Sequence, residues 1–356
     1  MPDIVLFGAT GYTGRLTAEA LQKRHAKFIC VGRDPRKLEA LAEKTGAADI
    51  AVASVGDVDA LTRTLSGARV LVTCVGPFVE LGWTAVEAAL RAGVHYVDST
   101  GEGEFIGKLI AEKDRLARSA GIAMAPAFGF DEVPADVTAT LAAEGLERPD
   151  VTLTYAMPST GSRGTLRSAL GIMVSEGPWI EAGKTRMIRA GQETRWAPMP
   201  HPLGPRHTVS FPFAEGHLGP RHLDLESFRL FMMSSRGRRN SMRLGLPLIR
   251  ATRSTPLRRG LDRLVGRAPE GPDASHRPHQ KWTILGEARS RDGWRNVALT
   301  GTDPYGLTGE LLARAAVEMA VDGYEQSGIL SPVQAVGLDV AREELTSHGT
   351  NIQVWE

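Results

Sequence analysis

The sequence predicts an α/β protein with a doubly wound parallel sheet, followed by a second, α+β domain. Through the first 130 residues, short apolar runs alternate with segments of helical period, as in a parallel sheet covered by helices. One of these runs, Ile4–Phe7, leads directly into a glycine-rich turn and a helix. Near residue 150 this alternation ends, and strands with one polar face begin. A chain of 356 residues is long enough for about two domains of roughly 150 residues each.

The first domain, residues 1–130, is predicted from buried strands and amphipathic helices. After the strand Ile4–Phe7, the segment Arg15–Arg24 has its apolar residues on one helical face. The run Arg69–Val75 lacks polar alternation, which is typical of strands buried on both faces. Further strands are predicted at 28–31, 49–53, 94–98 and 122–125, and further helices at 35–45, 58–65, 84–92 and 105–120.

The second domain is predicted over residues 131–300 as a mixture of strands and helices. Its first strand alternates polar and apolar residues, and its last two flank a turn at Asp292-Gly293. Residues 157–227 are rich in glycine, proline and tryptophan and give no clear assignment. Residues 301–356 then return to helical patterns, with Ser331-Pro332 as a helix start. The strands are predicted at 151–156, 281–285 and 294–300, and the longest C-terminal helix at 308–322.

The turn Gly8-Ala9-Thr10-Gly11-Tyr12-Thr13-Gly14 predicts a dinucleotide site. Gly8 allows a tight turn, Gly11 lets the backbone approach a pyrophosphate, and Gly14 lets the helix pack closely on the strand. The helix N-terminus then offers N–H groups and a positive dipole end to the phosphates. Because a strand precedes this turn and a helix follows it, the pattern favours a Rossmann-type cofactor domain.

The end of the second strand indicates which dinucleotide is preferred. An NAD site usually has an acidic residue there, but this chain has Gly32-Arg33, with Asp34 behind it. A guanidinium matches a phosphate in charge and geometry, so Arg33 is predicted to hold the 2′-phosphate of NADPH, assisted by Lys37. The alternative is that Arg33 is a solvated loop residue.

Four motifs resemble those of the saccharopine dehydrogenase-like oxidoreductases. The glycine turn with Gly32-Arg33 is similar to the opening of these proteins. Cys74-Val75-Gly76-Pro77-Phe78 and Tyr96-Val97-Asp98-Ser99-Thr100-Gly101-Glu102 resemble their next two strand ends, and the segment 129–136 resembles their domain junction. Gly328–Pro332 with Ala335-Val336-Gly337 is similar to the tail of the branch called trans-acting enoyl reductases.

The resemblance implies an NADPH-binding Rossmann domain, a second α+β domain and C-terminal helices that pack back on the first domain. Ligands of open α/β sheets bind beyond the carboxyl ends of the strands. Val75, Gly76, Pro77 and Phe78 are therefore predicted to contact the cofactor, with a simple turn as the alternative. Chemistry varies within this family, so the reaction has to be inferred from the site.

Hydride transfer requires a positioned substrate and one proton source. Tyr305 is the favoured donor, ahead of Tyr155 and His201, because it lies in a loop just before the returning helix. Asp131 is the second catalytic candidate; its alternative role is an acid at a helix N-terminus. Glu102 is left open. The histidines near 201–222 lack metal-ligand spacing, so no metal site is predicted.

Composition limits the partners. The formal charge of +1 gives no overall field that favours nucleic acid. No apolar run is long enough to span a bilayer, no secretory signal is recognised, and Cys30 and Cys74 lie in apolar runs, so a cytoplasmic protein is expected. Residues 229–267 carry eleven arginines among apolar residues. They predict salt-sensitive binding to an anionic membrane surface or an acidic carrier protein, with a solvated face as the alternative.

These observations predict an NADPH-dependent oxidoreductase that reduces a C=C bond of an acyl or polyketide-like substrate. The alternatives are C=N reduction in amino-acid metabolism and a non-catalytic NADPH-binding sensor or scaffold. The second domain is expected to bind substrate, and a homodimer is left open.

Overall fold

The computed structural model describes residues 3–158, 162–234, 271–273 and 275–356. These residues divide into two compact units. The first comprises the described residues of Met1–Gly101, Phe105–Val133 and Pro304–His348, and the second those of Glu102–Glu104, Pro134–Asp303 and Gly349–Glu356. The predicted domain limits of 1–130, 131–300 and 301–356 differ from these ranges chiefly at the C-terminus.

The first unit contains a seven-stranded parallel sheet, so the predicted doubly wound α/β fold is confirmed. The strand order is β15-β6-β5-β4-β1-β2-β3, and it reverses at β1, where β1 pairs with both β2 and β4. A crevice for a ligand forms at such a reversal. The strands are β1 Ile4–Phe7, β2 Phe28–Gly32, β3 Asp49–Val52, β4 Val70–Thr73, β5 His95–Asp98, β6 Ala123–Ala125 and β15 Gly328–Ile329.

The helices of the first unit begin where the sequence supplies caps. Asp34 caps α2 by accepting from the backbone N–H of Lys37 at 3.3 Å, with Pro35 as the first helical residue. Ser331 and Gln334 form a capping box on α11, so the predicted helix start at Ser331-Pro332 is confirmed. These helices are α1 Tyr12–Lys23, α2 Pro35–Thr45, α3 Val58–Thr64, α4 Phe78–Leu81, α5 Trp83–Ala92, α6 Gly103–Ser119, α10 Pro304–Met319, α11 Pro332–Val336 and α12 Leu338–Ser347.

The second unit is built on a nine-stranded sheet, which confirms the predicted α+β architecture. Its main path is β10-β11-β12-β7-β13-β14-β16, and β8 joins β12 and β9 beside that path. All of its described pairs are antiparallel except β7 with β12. The strands are β7 Asp150–Ala156, β8 Glu176–Glu181, β9 Lys184–Arg189, β10 Thr194–Pro198, β11 Pro205–Ser210, β12 Ser227–Met233, β13 Lys281–Arg289, β14 Trp294–Thr302 and β16 Asn351–Trp355. Its helices are α7 Glu132–Ala143, α8 Arg163–Val174 and α9 Glu215–Leu218, with short 3-10 turns at Gly219–Arg221 and Arg277–His279.

The C-terminal segment differs from its prediction in one respect. Helices α10, α11 and α12 belong to the first unit, but the chain then returns to the second sheet, where β16 pairs with β14. The strand was missed because its side chains are mostly exposed and it lies at a sheet edge, so it lacks a strong apolar pattern.

Three further expectations concern the whole chain. Of the basic segment 229–267, only residues 229–234 are described, within and just after β12; residues 235–267 lie outside the described residues. Both cysteines are free thiols, and burial raises the pKa of Cys30 and of Cys74 to about 12. Within the described ranges, no helix is both long and apolar enough to cross a membrane.

Candidate functional site

The glycine turn between β1 and α1 is held by backbone contacts that leave no room for side chains. Gly8 has φ +82°, and a Cβ there would lie 2.7 Å from Cγ2 of Val75. A Cβ on Gly14 would lie 2.8 Å from both Cα and O of Ala9, so α1 packs directly on the end of β1. Gly11 donates its N–H to the carbonyl of Gly8 at 3.0 Å. The turn therefore has the close backbone packing that the sequence predicts.

The N-terminus of α1 is suited to an anion. No side chain caps its first turn, and that turn contains no acidic residue. Arg15 donates a hydrogen bond from Nη1 to the carbonyl of Thr10 at 2.7 Å, which connects α1 to the glycine turn. The N–H groups of Tyr12 and Thr13 lie at this end, where the helix dipole is positive.

Arg33 and Lys37 lie beyond the end of β2, and both side chains are exposed. Asp34, the acid next to Arg33 in the chain, caps α2. Arg33 forms no ion pair with any residue that the structure describes. This leaves a guanidinium and an ammonium, rather than a carboxylate, at the position that discriminates between NADP and NAD.

The loop after β4 adjoins the glycine turn. Val75 contacts Gly8, and Gly76 and Pro77 are joined by a cis peptide bond. Phe78 begins α4; its ring is 5% exposed and packs against Phe105 with centroids 5.8 Å apart. Val75, Gly76 and the backbone at Pro77 are thus adjacent to the cradle, whereas the Phe78 side chain belongs to the core.

Asp98 organises the carboxyl edge of the same sheet. This fully buried residue accepts hydrogen bonds on its carboxylate from the Tyr96 hydroxyl at 2.6 Å, the Thr100 N–H at 2.8 Å and the Ala127 N–H at 3.1 Å. Its carbonyl accepts from the N–H of Phe128 at 2.8 Å. Asp98 therefore binds the backbone around it and connects the loop after β5 to the loop after β6.

The loop after β6 carries Asp131 and the N-terminus of α7. Burial raises the pKa of Asp131 above its usual value, although a hydrogen bond with Glu132 opposes the shift. Glu132 is 4% exposed, and its carboxylate lies against Gly101 and Gly129; a Cβ on Gly101 would be 2.5 Å from its Oε1. Because α7 begins at Glu132, Asp131 stands directly before the helix. Sequence reasoning singled out Asp131 but missed Glu132, because its contact with Gly101 forms only when two distant loops meet in the folded chain.

Tyr305 lies on the first turn of α10 and is 7% exposed. Its ring meets the ring of Tyr12 edge-on, with centroids 5.2 Å apart and an interplanar angle of 83°. Three residues later, Thr308 accepts the N–H of Phe130 at 3.2 Å. The structure thus brings Tyr305 to the glycine turn, and the same helix to the loop that carries Asp131.

The other donor candidates lie in the second unit. Tyr155 is fully buried and stacks on Phe213 with centroids 4.0 Å apart, whereas His201 is exposed on a turn. Glu102 accepts a hydrogen bond from Ser168 at 2.7 Å. The described part of the chain contains no cluster of three or more residues able to hold a metal ion.

Known proteins resemble this chain in two ways: a family model matches its first unit, and a solved structure matches its fold. Residues 4–124 match the model of the saccharopine dehydrogenase NADP binding domain. A trans-acting enoyl reductase of Mycobacterium ulcerans is 36% identical over 141 residues, which are 38% of this chain and 34% of that protein. A lipid droplet localized protein of Caenorhabditis elegans is 32% identical over 147 residues, again 38% of this chain and 34% of that protein. The matched region therefore spans about a third of the length of these relatives.

A solved structure matches along the full length of this chain. Apo saccharopine dehydrogenase (L-Glu forming) from Saccharomyces cerevisiae superposes with a TM-score of 0.62, covering 100% of both chains at 13% sequence identity. This likeness establishes the fold of the two units and nothing about the reaction.

Proposed function

We propose that this protein is an NADPH-dependent oxidoreductase that reduces a C=C bond of an acyl or polyketide-like substrate. Residues 4–124 match the saccharopine dehydrogenase NADP binding domain, which supports the cofactor. The assignment of NADPH as the cofactor rests on the glycine turn, where no side chain caps α1, and on the exposed Arg33 after β2. The relatives named trans-acting enoyl reductase, which match 38% of this chain, support the C=C bond.

The residues at the cradle fit NADPH. The backbone of Gly8–Gly14 would hold the pyrophosphate on the N-terminus of α1, because Gly14 lets the helix pack directly on the end of β1 and its first turn has no acid to repel the phosphates. Arg33 and Lys37 would hold the 2′-phosphate, and Val75, Gly76 and the backbone of Pro77 and Phe78 would border the cofactor. When bound, NADPH supplies a hydride; the protein positions the acceptor and supplies a proton.

Two residues of the first unit are proposed for that proton. Asp131 has its pKa raised by burial, so it keeps a proton to a higher pH than an exposed aspartate does. The ring of Tyr305 packs edge-on against Tyr12 at the glycine turn, and a phenol is a suitable acid for a developing carbanion. We favour Tyr305, as the sequence does, with Asp131 as the second candidate.

The test combines cofactor affinity with turnover. In Arg33→Ser, NADPH affinity should fall by about tenfold or more while NADH affinity stays within about twofold, because only NADPH carries the 2′-phosphate. Arg36→Ser, a change of a neighbouring exposed arginine, is the control. Equal binding of NADPH and NADH by the unaltered protein would overturn the role of Arg33.

Turnover is followed as NADPH oxidation with enoyl thioesters, and separately with amine and keto-acid pairs. Oxidation with the first set supports C=C reduction, and oxidation only with the second set replaces it with C=N reduction. Tight NADPH binding without turnover in either set indicates a sensor or scaffold. Tyr305→Phe should lower kcat with NADPH affinity intact; unchanged kcat would leave Asp131→Asn as the decisive variant.

The partners and the location of the protein are proposals of the same kind. The name of the enoyl reductase relatives supports an acyl substrate, and the lipid droplet localized relative supports a location at a lipid surface. The cytoplasmic location is proposed from the sequence alone.

A further inference from the structure

One face of the nine-stranded sheet lies against α7, and the other carries exposed side chains near the β14–β16 edge. A Cβ on Gly286 of β13 would lie 2.7 Å from Cγ2 of Thr138 in α7. Because side chains alternate along a strand, Glu287 and Arg289 of β13 lie on the face away from α7. Residues opposite each other in antiparallel strands share a face, so the register adds residues of β7, β14 and β16. The residues that we call the open face are Asp150, Glu287, Arg289, Trp294, Asn296 and Trp355.

Two tryptophans of the open face are adjacent and exposed. Trp294 is 47% exposed and Trp355 is 40% exposed. Asn296 comes two residues after Trp294 on β14 and lies opposite Trp355 on β16, so the two indole rings are diagonal neighbours on paired strands. Grouped apolar exposure of this kind marks interaction surfaces, and tryptophan is enriched among the residues that contribute most to protein interfaces.

A pocket of about 540 Å³ opens on the same face. Trp294, Asn296 and Glu287 belong to its lining, and Trp355 lies beside it, opposite Asn296. The open face therefore has an exposed ring next to a hollow. A two-fold symmetric contact needs both on one surface, because each copy then inserts a side chain and receives one.

The charges of the pocket sum to zero. Its lining contains three carboxylates and three guanidinium groups, those of Asp150, Glu193, Glu287, Arg195, Arg229 and Arg289. Four of these six groups have ion-pair partners within the chain. The other two, Asp150 and Arg289, lie opposite each other in the register of β7 and β13, and neither forms an ion pair with a residue that the structure describes.

One unpaired charge of each sign suits a second copy of the same chain. A two-fold axis between Asp150 and Arg289 brings the carboxylate of each copy to the guanidinium of the other. A partner surface of one sign would instead be repelled by one of the two groups. Closed two-fold dimers are also the commonest oligomers of soluble proteins.

We propose that the open face binds a second copy of this chain in a two-fold symmetric dimer, in which Trp355 enters the partner's pocket and Asp150 faces the partner's Arg289. Burial of the indole rings supplies most of the affinity, and the charges set the orientation of the two copies. The interface consists of residues of the second unit alone, and the proposal does not depend on the proposed reaction.

The mass of the full chain in solution is the first measurement. Sedimentation equilibrium from about 1 to 100 μM covers the range in which dimers of moderate affinity dissociate. We expect the mass to rise toward that of two chains as the concentration increases. The mass of a single chain over the whole range would overturn the proposal.

Tryptophan variants locate the interface. Trp294→Ser and Trp355→Ser should each weaken dimerisation by about tenfold or more, because each removes a buried aromatic ring from the interface. Trp196→Ser is the matched control: Trp196 of β10 is 58% exposed and lies outside the pocket lining. It should leave dimerisation unchanged. An equal effect of the control, or an unaltered dimer in a folded Trp294→Ser, Trp355→Ser double variant, would refute the open face as the interface.

Charge reversal tests the orientation of the two copies. Arg289→Asp and Asp150→Arg should each give chiefly single chains, because like charges then meet across the two-fold axis. A mixture of the two variants should form a mixed dimer, in which an acidic surface meets a basic one. Arg36→Asp, at an exposed arginine of α2, is the control. Homodimers of both variants, or a mixture that does not dimerise, would contradict the proposed pairing.

Hydrogen exchange of the unaltered protein gives an independent measurement, should the variants fail to fold. A higher protein concentration should slow exchange around residues 289–294 and 353–356. Concentration-dependent protection confined to other segments would likewise refute the interface.

Discussion

At the scale of single residues, the first unit depends on glycines that admit the close approach of other groups. Gly14 lets α1 lie against Ala9, and Gly101 and Gly129 leave space for the buried carboxylate of Glu132. In each case, atoms of another residue occupy the space that a side chain at the glycine would need. A methyl group at such a position has to displace backbone or a buried charge, and overpacking of this kind is costly.

Gly14→Ala should destabilise the protein by about 1–3 kcal/mol and weaken NADPH binding, because its Cβ would lie 2.8 Å from two backbone atoms of Ala9. Gly171→Ala is the matched control: this exposed glycine of α8 has no atom within 4 Å of a Cβ. It should stabilise the helix by about 0.5–1 kcal/mol. Urea unfolding measures both, and an equal response of the two variants would contradict the packing argument.

At the scale of elements, Arg24 joins three helices of the first unit. It follows α1 and forms ion pairs with Glu310 of α10 and Glu344 of α12, whose side chains are 14% and 5% exposed. Lys23 adds a bond to Glu310 at 2.8 Å. Burial alone would raise the pKa of Glu310, but the hydrogen bonds from Lys23 and Arg24 outweigh it and hold this pKa below its usual value.

Arg24→Met should lower the free energy of unfolding by roughly 1.5–3 kcal/mol, because two largely buried carboxylates each lose a charged hydrogen-bond donor, while Lys23 stays beside Glu310 and Arg314 beside Glu344. Lys23→Met, at a side chain that is 70% exposed, should cost less than about 0.5 kcal/mol. Urea unfolding at neutral pH distinguishes the two variants, and equal effects would refute a central role for Arg24.

The same cluster predicts a dependence on pH. Since the pKa of Glu310 is lower in the folded than in the unfolded chain, its stabilisation is present above the ordinary glutamate pKa and is lost as pH falls through the lower, folded value. Arg24→Met should therefore differ most from the unaltered protein above that range and converge with it in acid. A constant difference down to low pH would contradict this assignment.

At the scale of the whole molecule, the chain leaves and re-enters each unit. The segment that follows β14 supplies α10, α11 and α12 to the first unit and then returns as β16 to the second sheet. The return is secured by the five residue pairs between β14 and β16 and by the ion pair of Arg295 with Glu356 at 2.5 Å.

Removal of residues 351–356 should lower stability by roughly 1–5 kcal/mol, from the loss of five cross-strand pairs, and should promote association through the exposed edge of β14. NADPH affinity should stay within about twofold, because the cradle belongs to the other unit. Circular dichroism, light scattering and NADPH titration measure the three effects. Stability equal to that of the full chain would show that β16 contributes nothing to the sheet.

Elements that depend on interactions between neighbouring residues were predicted correctly from the sequence, and elements that depend on distant residues were not. The buried strands of the first sheet and the start of α11 were predicted because period, capping residues and glycine spacing act within a few residues. The strands between 157 and 227 and the edge strand β16 were not, because their residues form strands only when a neighbour far along the chain pairs with them. Likewise, the roles of Arg24 and Glu132 depend on partners that no local pattern reveals.

The sequence by itself determined the parallel α/β sheet, the glycine turn and the cationic residues Arg33 and Lys37 beside it, since these depend on local backbone conformation and residue chemistry. Only the tertiary structure decided that Tyr305 lies against Tyr12 and that Arg195 of β10 pairs with Glu287 of β13. The physical reason is that each of these contacts joins residues far apart in the sequence, and such contacts form only when the folded chain packs.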